Sequence, residues 1–247
     1  MPVLELENIA KHYGAIQALN GVSMSFEAGE VIGLVGDNGA GKSTLVKIIA
    51  GNFPQSSGTI KISGQPVHLH SPADARRAGI EIVYQDLALA DNLTAAANIF
   101  LGREKLTPLG LLDYNGMYRR AGELFAELKS ETRPRDLVRR MSGGQRQAVA
   151  IARTRLSNPK IVLMDEPTAA ISVRQVAEVL NLIRRLKEQG MVVVLISHRI
   201  PDIFAVCDRL VVLRRGRKVA DKRIADSSPE EVTGLITGAI ENAMGAA

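Results

Sequence analysis

The residues with the clearest chemistry lie at Gly36-Asp37-Asn38-Gly39-Ala40-Gly41-Lys42-Ser43-Thr44, where a glycine and four residues precede Gly-Lys-Ser. That spacing suits a phosphate. Glycines let the backbone curl so that successive N–H groups face inward, and a helix opening there adds positive potential at its N-terminus. Lys42 has the reach for β and γ phosphates. The Ser43 hydroxyl suits magnesium, which keeps an octahedral shell and takes one or two protein oxygens beside phosphate oxygens. An ordinary glycine-rich turn uses the same residue types, but average composition produces the full pattern in only on the order of one per cent of chains this long. A second pair, Asp165-Glu166, follows the apolar run Ile161-Val162-Leu163-Met164. Asp165 is placed to support a magnesium shell, and Glu166, directed elsewhere by strand alternation, to polarise an attacking water. A strand that simply ends in an acidic turn, with Pro167 stopping the ladder, is the plainer account, and the phosphate loop outweighs it.

These groups need a scaffold, and 247 residues with 46% apolar content can bury a core for one large domain or two small ones. Val22 to Phe26 alternates at strand period, and Val31 to Val35 is a buried-strand run ahead of the phosphate loop. Ile161 to Met164, Met191 to Ile196 and Leu210 to Leu213 are of the same kind, with helical patterns between them, which predicts a parallel sheet. Val173, Val176, Leu180, Ile183 and Leu186 recur at helical spacing, and Gly190 stands where that helix should stop. From about Ala88 to Leu156 the strand signal vanishes, while Met117 to Lys129 and Gln145 to Leu156 read as helices, so a helical subdomain should interrupt the sheet. No run approaches the roughly 20 apolar residues of a membrane span, and the start of the chain lacks the pattern of a secretory signal. The lone Cys207 has no internal partner and reads as a core residue in a reducing cytoplasm. The net charge of +5, with basic clusters at Arg133 to Arg140 and Arg214 to Lys218, reads as solvated surface more readily than as a polyanion site.

Met141-Ser142-Gly143-Gly144-Gln145-Arg146-Gln147 is the most informative stretch. Ser142 and Gln145 have the spacing of a helix capping box, which accounts for both without a ligand. It leaves the glycine pair unexplained, because each glycine costs roughly 1 kcal/mol inside a helix. Bare backbone at a helix mouth suits a phosphate. With this motif the chain resembles the ABC ATPases, whose signature loop reads Leu-Ser-Gly-Gly-Gln, and Met141 stands in for the leucine. The resemblance covers nearly the whole chain. It implies an α/β fold of the P-loop NTPase class and ABC ATPase type: a mostly parallel sheet core, an N-terminal antiparallel β region and an inserted helical subdomain. The implied division is a single cassette, with a RecA-like core at 1–87 and 157–225, the helical subdomain at 88–156, and a C-terminal helix and tail at 226–247. It also implies ATP and Mg2+ as ligands, with Gly36, Asn38, Gly39, Ala40, Gly41, Lys42, Ser43 and Thr44 around the phosphates and Ser43, Gln85 and Asp165 toward the metal. Ser142, Gly143, Gly144 and Gln145 would close over the γ-phosphate held by a second copy, so catalysis would need a pair.

The resemblance assigns three more residues. Tyr13 looks like the aromatic that stacks on adenine, although a tyrosine packed at a strand end would look the same. Gln85 resembles the glutamine that touches metal or water ahead of the helical subdomain, and His198 the switch histidine that contacts the γ-phosphate and orients Glu166. Lys42, Gln85, Glu166 and His198 form the implied catalytic set. Six residues after Glu166, where the family usually has aspartate, Ala169-Ala170-Ile171-Ser172 carries an uncharged serine. The stretches His70 to Ile80 and Asn98 to Glu104 resemble the ATPases of bacterial monosaccharide importers, the ribose, xylose and fructose group. This implies a peripheral protein on the cytoplasmic face of a bacterial inner membrane, paired with itself. Its partners would be permease subunits and, indirectly, a periplasmic sugar-binding protein, with no nucleic acid. A soluble ABC ATPase acting on ribosomes or nucleic acid, and a regulatory module that binds ATP without hydrolysing it, are the alternatives.

Overall fold

In a computed structural model, residues 1–169 and 171–240 are described, and everything below concerns those residues. Ten strands form two sheets. The antiparallel sheet runs β2 (Ile16–Phe26), β1 (Leu4–Tyr13), β4 (Ser57–Ile62) and β5 (Gln65–Val67). The second runs β10 (Arg217–Arg223), β9 (Arg209–Arg214), β3 (Val31–Val35), β8 (Val192–Ile196), β7 (Ile161–Asp165) and β6 (Ile80–Val83). All its pairings are parallel except β9 with β10. The fold is therefore α/β with an antiparallel sheet and a mixed, mostly parallel one, as the sequence led us to expect.

The central strands are continuous apolar runs because both of their faces are buried. On β3, Val31 and Val35 enter one core while Ile32 and Leu34 enter the other, and β7 and β8 divide their side chains in the same way. One core lies against the helices that follow Thr94, and the other between the main sheet, the antiparallel one and the helical segment Leu45 to Ile49. Each fully buried side chain of this kind contributes roughly 1.5–3 kcal/mol. Cys207, buried, packs into the first core beside Gly33, and burial pushes its thiol pKa up, so it is an inert packing residue.

Eight helices connect the strands: α1 (Lys42–Ile49), α2 (Pro72–Arg77), α3 (Ala95–Phe100), α4 (Tyr114–Glu127), α5 (Gly143–Thr154), α6 (Val173–Glu188), α7 (Ile200–Val206) and α8 (Pro229–Thr237). Between β6 and β7 the chain forms only helices and two isolated bridges, Thr94 with Leu137 and Leu106 with Leu112. Helix α4 begins three residues before the sequence pattern suggests, because Asp113 accepts a hydrogen bond from Gly116 N–H and caps it there. Gly190, at φ 81°, follows the end of α6. None of these helices is long and apolar enough to cross a membrane. Ala170 and residues 241–247 of the expected C-terminal tail lie outside the described residues.

Candidate functional site

Because β3, β8 and β7 are parallel neighbours, the segments leaving their carboxyl ends meet at one edge of the sheet, where open α/β sheets bind ligands. The first such segment is Gly36 to Gly41, between β3 and α1. Gly41 stands at the N-cap of α1 with φ 103°, no side chain caps it, and no acidic residue occupies the first turn. The positive end of the helix is thus left for an anion from elsewhere. Lys42 Nζ donates to the carbonyl oxygens of Gly36 at 2.6 Å and Asp37 at 2.9 Å, folding back over its own loop. Burial lowers the Lys42 pKa, and the charges of Glu166, Asp37 and Asp165 act in the opposite sense. Asn38, Gly39 and Ser43 are exposed, Gly36, Gly41 and Thr44 are half-buried, and Ala40 is buried beneath them.

The second segment carries the carboxylates. Asp165 is the last residue of β7, whereas Glu166 lies outside the strand with φ 51°, its N–H donating to Ile196 O at 3.0 Å. This corrects the alternation argument, which needs both residues in one strand: Glu166 lies beyond β7 with its backbone in the left-handed region. Burial, and then the adjacent Glu166, raise the Asp165 pKa, while Lys47 and Lys42 oppose the rise. A half-buried carboxylate disfavoured in its charged form is a ready partner for a cation.

The third segment follows β8. His198, exposed, brings Nδ1 to 2.8 Å from Glu166 Oε2. That contact does not have hydrogen-bond geometry, and Oε2 is buried without a partner. Lys42, Asp165, Glu166 and His198 are thereby gathered at one place. Magnesium fits this donor set: a free serine hydroxyl and a destabilised carboxylate leave the rest of an octahedral shell to phosphate and water.

The remaining residues lie on other segments. Tyr13 ends β1, exposed, with its ring edge-on to Phe53 at 5.9 Å and Lys11 Nζ 5.4 Å above it. It is neither packed away nor free-standing. Gln85 is exposed in the turn after β6. The Ser142 to Gln145 turn opens α5 with a complete capping box: Ser142 N–H donates to Gln145 Oε1 at 2.9 Å, and Gln145 N–H to Ser142 Oγ at 3.2 Å. Here the structure adds a reason for Gly143 that the sequence lacked. A Cβ on Gly143 would come within 2.7 Å of Ile171 and 3.2 Å of Gln175, so Gly143 lets α5 open close against the start of α6, whereas one on Gly144 would chiefly meet the movable carboxylate end of Glu178. Ser172 caps α6 by an identical box with Gln175, which gives the uncharged serine a local task. These two helix mouths line a cavity of about 560 Å³ that includes no residue of the Gly36 to Thr44 loop.

The sequence pattern of the ABC transporter family matches residues 19–169. The chain is 44% identical over 236 residues to the xylose/arabinose import ATP-binding protein XylG of Sulfolobus acidocaldarius, covering 95% of this chain and 94% of that one. The chain belongs to the ABC transporter family. This cassette is also 40% identical over 248 residues to the fructose import ATP-binding protein FrcA of Rhizobium meliloti, covering 97% of this chain and 95% of that one. Over 237 residues it is 40% identical to the ribose import ATP-binding protein RbsA of Geobacillus kaustophilus, covering 96% of this chain but 48% of that one. The chain thus spans about half the length of the ribose relatives it matches. Among solved structures, the ADP conformation of an ATP-binding cassette of an ABC transporter superposes with a TM-score of 0.82 at 28% identity, covering 96% of this chain and 95% of that one. A dimeric, post-hydrolysis cassette bound to ADP and Pi superposes at 0.74 with 27% identity, covering 90% and 98%.

Three residues of the cassette carried no signal in the sequence that assigned them a place here: Gln147, Thr168 and Asp202. All are buried polar side chains packed around the turn after Glu166. A polar residue inside the apolar stretch of α5 was the one available hint at Gln147.

Proposed function

We propose that this cassette binds ATP with magnesium at the carboxyl edge of β3, β7 and β8, hydrolyses it, and works in pairs to power a membrane importer of monosaccharides. The observation that carries the reading is the convergence of Lys42, Asp165, Glu166 and His198 beside an uncapped, glycine-lined helix mouth. Lys42, now bonded to its own loop carbonyls, turns to the β and γ phosphates, and Gly36, Asn38, Gly39, Ala40, Gly41 and Thr44 present backbone N–H groups to them. Ser43 and Asp165, with Gln85, would hold a magnesium ion, which would supply charge neutralisation along the phosphates. Glu166 accepts a proton from the attacking water as its oxygen bonds to the γ-phosphorus and the bond to the leaving ADP oxygen breaks. General-base assistance of this kind is worth about 10²–10⁴ in rate. His198 touches both Glu166 and the transferred group. Tyr13 stacks on the base.

The Ser142 to Gln145 turn sits outside the cassette's own phosphate loop, and this favours its use on a second copy, closing each nucleotide between two chains. Closure would be transmitted to permease subunits through the helical part at 88–156, which we treat as a subdomain set into the core at 1–87 and 157–225. The cassette would then lie on the cytoplasmic face of a bacterial inner membrane, with a periplasmic binding protein delivering the sugar. The names of the ribose, xylose/arabinose and fructose import relatives support a monosaccharide cargo.

The test is Glu166→Gln. Phosphate release should fall at least about a hundredfold, ATP should still bind, and size-exclusion chromatography with ATP should show the variant accumulating as a dimer. Hydrolysis at the wild-type rate would remove Glu166 from the mechanism, and a strictly monomeric variant would remove the sandwich.

A further inference from the structure

The two residues after Glu166 are gripped from opposite sides. Gln147 of α5, only 4% exposed, donates Nε2 to Pro167 O at 2.7 Å. Thr168 donates Oγ1 to Asp202 Oδ2 at 2.7 Å, and Asp202 in turn receives Arg199 Nε at 3.2 Å. The turn between them is the one that holds Glu166 at φ 51°, closed by Ala169 N–H donating to Glu166 O at 3.1 Å. A non-glycine residue keeps such a conformation only where its surroundings over-determine it.

Gln147 is costly where it stands. Its neighbours Ala148, Val149 and Ile151 are buried and apolar, and its own Oε1 is buried without a partner. An apolar side chain of similar size would avoid that unsatisfied acceptor. What it could not supply is the bond to Pro167, one residue from Glu166. Helix α5 also carries Ser142, Gly143 and Gly144 at its mouth, so the bond ties the signature helix directly to the carboxylate's turn.

We infer that Gln147 is a positioning residue for ATP hydrolysis: through Pro167 it makes the aim of the Glu166 carboxylate depend on where helix α5 sits. The inference rests on Glu166 being the base of the proposed function. A shift of α5 that draws Pro167 with it swings Glu166, and a Gln147 side chain without a donor leaves Glu166 free of that helix. Asp202 remains as the opposite hold.

The experiment is a double-mutant cycle on the full chain, read by single-turnover phosphate release and by fluorescent-ATP titration. Gln147→Leu should lower the rate about tenfold to a hundredfold, as expected for small misplacement of a reacting group. Its ATP affinity should stay within about twofold, because the lost interaction acts only in the chemical step. Placed on Glu166→Ala, the same change should alter the residual rate by less than about twofold, since no base remains to be aimed. An equal loss with and without Glu166 would make Gln147 a general structural residue and overturn the inference, as would a Gln147→Leu rate within about twofold of wild type. Glu166→Ala hydrolysing at the wild-type rate would instead overturn the base assignment itself. Gln147→Met, equally long and lacking the donor, decides the matter if the leucine variant does not fold.

Discussion

Replacing Gly36 or Gly39 by alanine should produce unequal losses, although both belong to one motif and both have positive φ. At Gly39, with φ 78°, an added Cβ meets nothing within 4 Å. The cost is then only that of left-handed backbone, about 1–2 kcal/mol. Gly36 has φ 151°, and an added Cβ would lie 3.0 Å from Ala40 Cβ and inside contact distance of the Leu213 carbonyl oxygen. Leu213 is fully buried on β9, hydrogen-bonded between β3 and β10, and cannot withdraw. The phosphate loop must move instead. Backbone strain of about 1–3 kcal/mol plus that displacement puts Gly36→Ala at roughly 3–5 kcal/mol, near the upper end of single substitutions. Urea denaturation should show both midpoints lowered at unchanged slope, Gly36→Ala by more. Fluorescent-ATP titration should show affinity surviving in Gly39→Ala and falling at least about tenfold in Gly36→Ala, a loss of about 1.4 kcal/mol. If Gly39→Ala proves as destabilising as Gly36→Ala, conformation alone governs the loop and the argument from Leu213 fails.

Asp165→Asn should abolish hydrolysis yet raise the melting temperature of the nucleotide-free protein in chelator. Folding raises the Asp165 pKa, so its charge costs stability in full above that value and the cost is relieved as pH falls through it. The variant's advantage should therefore be largest near about pH 8 and shrink on acidification, and a variant melting below wild type at alkaline pH would contradict this. Ser172→Ala removes one half of the α6 capping box and should cost about 1 kcal/mol, a fall of roughly 2–4 °C in melting temperature for a chain of this size. No change in melting would mean that α6 does not depend on that cap.

Lys42, Asp165, Glu166 and their phosphate loop were legible in the sequence because local spacing specifies them: a glycine loop leads from strand to helix, and the two acids follow an apolar strand. The four apolar strand runs, Val31 to Val35, Ile161 to Met164, Met191 to Ile196 and Leu210 to Leu213, were equally legible, since burial on both faces leaves no charged positions in them. Strand β10, Arg217-Lys218-Val219-Ala220-Asp221-Lys222-Arg223, gave no such signal, because an edge strand pairs on one side and keeps its charged residues wet. Tertiary structure alone decided the rest. Glu166 takes its direction from a left-handed turn held by Gln147 and Asp202, one 19 residues before it and the other 36 after it. Gly143 is there partly because Ile171 and Gln175, at the start of α6, crowd the place of a Cβ, which no pattern within α5 could reveal. Hydrophobic period and turn chemistry are properties of neighbours along the chain, whereas clearance and buried hydrogen bonds are properties of neighbours in space.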